Sequence, residues 1–110
     1  MSAKKETIEI ERKQQGVKLE GCIISGNRRI GIRSIELEPE RSGGPPFSKR
    51  LDTALLSLCK EMNVPLPIWL SKNTREFAHF HQTCFFPEQF AEECHFDRFS
   101  IRLYDENQGS

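Results

Sequence analysis

Before residue 39 the apolar positions recur every second residue. Ile8 and Ile10 alternate with Glu9 and Glu11, Val17, Leu19 and Ile23 with Lys18, Glu20 and Cys22, and Ile30 and Ile32 with Gly31 and Arg33. Period two is the spacing of a strand that buries one face, so the stretch predicts three antiparallel strands. Ser25-Gly26-Asn27-Arg28 supplies a tight hairpin between the second and third, because Gly and Asn both tolerate positive φ. The apolar phase then slips from Ile30 and Ile32 to Ile35 and Leu37, which predicts a β-bulge near Arg33-Ser34. Glu40-Arg41-Ser42-Gly43-Gly44-Pro45-Pro46 lies in a connecting loop over 39–47, since Gly and Pro oppose continuation of either regular structure.

Beyond the proline pair the period becomes helical. Leu51, Leu55, Leu58 and Met62 repeat every three or four residues, flanked by Ala54 and Cys59, with Ser48 as the expected N-cap. Asn63-Val64-Pro65-Leu66-Pro67 ends this helix, because each proline holds the residue before it extended. Ile68-Trp69-Leu70 follows as a short apolar anchor. A second helix is expected from Ser71 or Asn73, with Glu76 placed for a capping box, running through Phe77, Phe80, His81 and Cys84. The competing reading of Glu76 to Phe85 is an alternating strand. Phe96, Arg98, Ser100, Arg102 and Tyr104 alternate with Asp97, Phe99, Ile101 and Leu103, so the chain closes with a strand and a polar tail. These elements predict the α+β class: an antiparallel sheet of three N-terminal strands plus a C-terminal strand, with one or two helices packed on one face. The last strand is expected to pair with an edge of the meander, at the first strand.

A length of 110 residues allows one small domain, 1–110, with flexible ends at about 1–5 and 105–110, and excludes large enzyme folds. At 36% hydrophobic and 29% charged residues the chain reads as globular, and no stretch is apolar enough to span a membrane. Sixteen basic residues balance sixteen acidic ones. Divided before Pro46, the chain carries nine basic and seven acidic residues on one side and seven and nine on the other. This near-local neutrality disfavours binding driven by phosphate neutralisation. The N-terminus has no apolar run of a secretory signal, so a cytoplasmic location is expected, with Cys22, Cys59, Cys84 and Cys94 as thiols.

Seven of the eight Phe fall between Phe77 and Phe99, and all three His and two Cys fall between His79 and His95. Zinc takes imidazole and thiolate ligands, so His79, His81, Cys84, Cys94 and His95 form a candidate pool from which His81, Cys84 and Cys94 are the candidate metal site. Against it, Cys94 and His95 are adjacent and no C-x-x-C pair is present; Cys84 and Cys94 read as well as small buried residues. Arg28 and Arg29 at the hairpin tip, with Arg33 on the same ribbon, are the candidate nucleic-acid contacts, although Glu20, Glu36 and Glu38 are interleaved with them. Cys84 with His81, or Glu92 with Glu93, could be paired for catalysis, but nothing supplies an orienting group. No phosphate loop, nucleophile elbow or zinc-protease motif occurs, so the chain is read as a non-enzyme.

Trp69, Phe85, Phe86 and Phe90 are the candidate protein-binding residues, since aromatic anchors on a polar rim are the composition of a contact spot. In a domain this small most Phe must also serve the core. The leading expectation is a small binding module, an adaptor or inhibitor acting on another protein, able to form a homodimer through a sheet edge. Nucleic-acid association and a zinc-stabilised module are the alternatives; no cofactor besides that zinc is expected. In general character the chain resembles the small accessory proteins of bacterial genomes and mobile elements, a resemblance carried by no motif.

Overall fold

The computed structural model describes residues 16–105. Alternation along the chain produces β1 (Val17–Ser25) and β2 (Arg28–Glu36), joined by Gly26 and Asn27. Gly26 has φ +64° at the first loop position, where a two-residue hairpin needs a residue without a Cβ. The closing strand, β4 (Arg98–Asp105), pairs antiparallel with β1 along its whole length, from Val17 opposite Asp105 to Ile24 opposite Arg98. A short strand, β3 (Gln82–Phe85), covers the other side of β4. The sheet order is β2-β1-β4-β3. The expected α+β architecture is therefore present, with an antiparallel sheet, a C-terminal strand and helices on one face. The strand expected around Ile8 and Ile10, and the tail after Asp105, lie outside the described residues.

Residues directly opposed across a ladder share a face. Leu19, Gly21 and Ile23 of β1 thus point the same way as Leu103, Ile101 and Phe99 of β4, and as Thr83 and Phe85 of β3. Onto this face pack α1 (Phe47–Met62) and α2 (Ser71–Phe80), whose apolar stripes complete the core with Leu51, Leu55, Leu58 and Phe77. Gly21 is needed for that approach, because a Cβ there would sit 2.8 Å from both Leu58 Cδ2 and Met62 Sδ. The opposite face, with Glu20, Cys22, Ile24, Arg98, Ser100, Arg102 and Cys84, carries no helix among the described residues.

Three local expectations change. The bulge is at Ile30 and not at Arg33-Ser34: Ile23 pairs with Gly31 and Ile24 with Arg29, so Ile30 is the extra residue. This insertion does not undo the phase slip: Ile32, opposite Cys22, and Ile35, opposite Leu19, lie on opposite faces of the sheet, Ile32 exposed and Ile35 against the core. Ser48 is not the cap of α1. The helix starts two residues earlier, on Pro46, whose carbonyl accepts from the N–H groups of Lys49 and Arg50 at 3.1 Å each. Finally, α2 stops at Phe80 and does not reach Cys84. His81 takes the left-handed conformation (φ 57°) and its N–H donates to the Phe77 carbonyl at 2.8 Å, after which Gln82–Phe85 extends as strand. No helix among the described residues is long and apolar enough to cross a membrane.

Candidate functional site

The segment between the helices is held by a buried polar knot. Asn73, on the first turn of α2, is fully buried and uses all of its hydrogen-bonding capacity. Its amide nitrogen donates to Thr83 Oγ1 at 2.8 Å and to the Cys84 carbonyl at 3.0 Å. Its Oδ1 accepts from the Leu70 N–H at 2.9 Å and from Gln89 Nε2 at 3.0 Å. Gln89 closes the knot by donating to the Ile68 carbonyl and accepting from the Phe86 N–H, both at 3.1 Å. Thr83 in turn donates to Glu76, so that carboxylate is already engaged. A satisfied buried network of this kind fixes geometry, because each lost partner strands a desolvated group. Here it fixes the extended run through Ile68, Trp69 and Leu70.

Trp69 is the product of that positioning. Its ring packs edge-on against Phe77 (5.9 Å between centroids) and tilted on Phe85 (5.6 Å), while its indole N–H donates to Thr74 Oγ1 at 2.8 Å. One side of the ring stays open and forms the floor of a cleft between α1 and α2 of about 460 Å³. Phe47, Leu51 and Asp52 line it from α1, and Thr74, Phe77 and Ala78 from α2. The lining is apolar and open to solvent, the usual constitution of a recognition groove. Leu66, Ile68 and Leu70 of the extended run are exposed and do not line the cleft. Phe86 is 37% exposed beneath Lys72, whose Nζ lies 4.6 Å from the ring centroid.

The aromatic residues singled out from the sequence therefore divide. Trp69 lines the groove and Phe86 is at the surface, but Phe85 and Phe90 are buried core rings and present nothing to a partner. Phe85 alternates inward on β3 and Phe90 follows the Pro87–Gln89 turn back beneath Pro67, which bridges to it. Phe47, which lines the groove from the first turn of α1 and is 41% exposed, carried no signal in the sequence that set it apart.

The candidate ribbon of arginines is also divided. Arg29 is opposite Ile24 on the helix-free face, whereas Arg33 is opposite Gly21 on the helix side and lines a cleft with Glu61 and Met62. The Ile30 bulge sets them apart by changing the parity between them. Arg28 is exposed beside the turn. On the helix-free face Arg29 instead shares a small cleft of about 110 Å³ with Arg102, Glu20, Cys22 and Ser100.

The candidate metal ligands do not converge. His81 is exposed at the end of α2, Cys84 is on the helix-free face, and Cys94 packs at the core edge with its thiol 3.5 Å from the Glu92 carbonyl. Among the described residues no group of three or more His, Cys, Asp or Glu side chains could hold a metal ion. Burial pushes the Cys22 thiol up, with Arg29 opposing it, and burial also raises Cys94, assisted by Glu92. The Cys59 thiol, buried on α1, is raised to about 11. No family model, curated protein or solved structure matches the chain.

Proposed function

We propose that the chain is a non-enzymatic binding module, cytoplasmic and of the adaptor or inhibitor kind, that takes an amphipathic helical segment of another protein into the groove over Trp69. The observation that carries the reading is the solvent-open apolar cleft built from Trp69, Phe47, Leu51, Phe77 and Ala78. Two helices flanking an aromatic floor suit a third helix laid along them. Charge selects its flank. Lys72 and Arg75 outnumber the single carboxylate of α2, Glu76, so an acidic flank is favoured on the α2 side. The edge of β2, outermost among the described residues, offers a separate contact for a second copy of the chain.

The test is selection of helical peptides with an apolar face and acidic flank from a displayed library, read by Trp69 emission. Ala78→Arg fills the groove from an exposed position without touching the core. Retained peptides should shift the emission and bind this variant at least about tenfold more weakly. Failure to retain any, or equal affinity for the variant, would overturn the reading.

Nucleic-acid contact is the second reading, now centred on the helix-free face. Arg29, Arg98 and Arg102 share that side of the sheet, and with the bulge intact Arg33 does not join them. Glu20 lies 3.5 Å from Arg102 and offsets part of that charge. A single-stranded oligonucleotide whose binding weakens with salt and is lost on Arg29→Glu would favour this reading over the first.

A further inference from the structure

Among the described residues β2 is an outer strand of the sheet, and it is nine residues long. Its side chains are open to solvent, Ile30 and Ile32 being 59% and 42% exposed. The Leu37 N–H donates to the Val17 carbonyl at 3.0 Å, which sets the phase of the ladder. By alternation Gly31, Arg33 and Ile35 turn their peptide groups toward β1, and Ile32, Ser34 and Glu36 turn theirs outward. Such a row is a template for another strand.

The charges along β2 say which strand. Arg28, Arg29 and Arg33 come first and Glu36 comes last. A strand basic at one end and acidic at the other is complementary to itself when run antiparallel. Register follows from which residues would meet. Centring on Arg33 sets two guanidinium groups against each other, and centring on Ser34 sets Ile32 against Glu36. Centring on Ile32 sets that isoleucine against its own copy and Arg33 against Gly31, which has no side chain to obstruct it. With the bulged Ile30 skipped, Arg29 then stands diagonally across from Glu36 of the second copy, on the same helix-free face.

We propose that β2 is a self-association surface: a second copy of this chain pairs with it antiparallel about a two-fold axis at Ile32, joining the two sheets into one. This deepens the binding-module reading by assigning its second contact, and it rests on that reading only in treating the chain as a contact protein. In the single chain Arg33 Nη1 donates to the Ile32 carbonyl at 2.9 Å, covering one outward acceptor. Pairing releases that contact, and the carbonyl takes the N–H of the opposing Ile32 in its place. One strand pair is a small interface, so the dimer is weak and concentration-dependent.

The axis position supplies the test. In Ile32→Glu two carboxylates meet on the axis, and in Ile32→Lys two ammonium groups do, so each variant alone should remain monomeric by sedimentation equilibrium. An equimolar mixture should associate, because Glu then opposes Lys. The wild-type full chain should approach twice its monomer mass as concentration rises, and all variants should keep the wild-type circular dichroism, the residue being exposed. A wild type that stays monomeric at millimolar concentration, or a dimer unaffected by either variant, or variants that do not complement one another, would overturn the proposal. Peptide capture in the Trp69 groove is measured separately, so loss of either property leaves the other standing.

Discussion

The two outer strands of the sheet solve the same problem in opposite ways. The four residues of β3 are too few to hold themselves in place, and their edge is tied down from within: Thr83 and the Cys84 carbonyl both bind Asn73, and Phe85 is fully buried. The nine residues of β2 bury almost nothing and leave isoleucines and arginines at the surface. One edge is closed by saturated polar groups and an aromatic anchor; the other is kept soluble by charge and bent by a bulge. A sheet of this size can therefore devote one side to stability and leave the other for contact.

That contrast can be broken at its stable side first. Phe85→Ala removes a buried ring stacked 6.3 Å from Phe99 and should cost roughly 3–5 kcal/mol, read by urea denaturation. Asn73→Leu keeps the branched shape but takes the side-chain partner from the Leu70 N–H and the Cys84 carbonyl and one bond each from Thr83 and Gln89, and should cost about 2–4 kcal/mol with reduced Trp69 order, visible as a change in its emission. A smaller effect belongs to neither edge. Burial pushes the Cys59 thiol up from 9.0 to about 11, so the folded chain holds that proton more tightly than the unfolded one. The stabilisation is whole below pH 9 and is lost as pH rises through about 11; Cys59→Ala should lessen this alkaline loss, with Cys22 and Cys94 keeping a remainder. The least effect is expected on the open side, where Ile32→Ser should change stability by no more than about 0.5 kcal/mol. A loss there as large as that of Phe85→Ala would mean that β2 is part of the core and the comparison is false.

The strands were legible because period two survives in β1, β2 and β4, and the helix stripe of α1 because Leu51, Leu55 and Leu58 keep the helical spacing. Residues Glu76 to Phe85 were ambiguous for a physical reason: they contain both a helix end and a strand, and one left-handed residue, His81, separates them with no Gly or Pro to mark the change. The phase slip was misleading: it marks Ile32 turning away from the helices and Ile35 toward them within a regular ladder, while the inserted residue is Ile30. The groove was hidden because Leu51 and Phe77 fit a core stripe whether or not a neighbouring helix covers them. Least legible was the Asn73–Gln89 contact, since it joins residues sixteen apart whose side chains meet only once β3 has packed. Phe85, Phe86 and Phe90 looked alike in the sequence and differ only through that packing.

The absence of a linker at His81 has a further consequence for motion. Its N–H is bound to α2 and its carbonyl accepts from Leu103 of β4 at 2.7 Å, so one residue is both the last of the helix cap and the first of the sheet. There is no slack between α2 and β3 for either to open alone. Amides of β3, although at a solvent edge, would then exchange only when α2 lifts from the core, and the two elements would share one opening free energy.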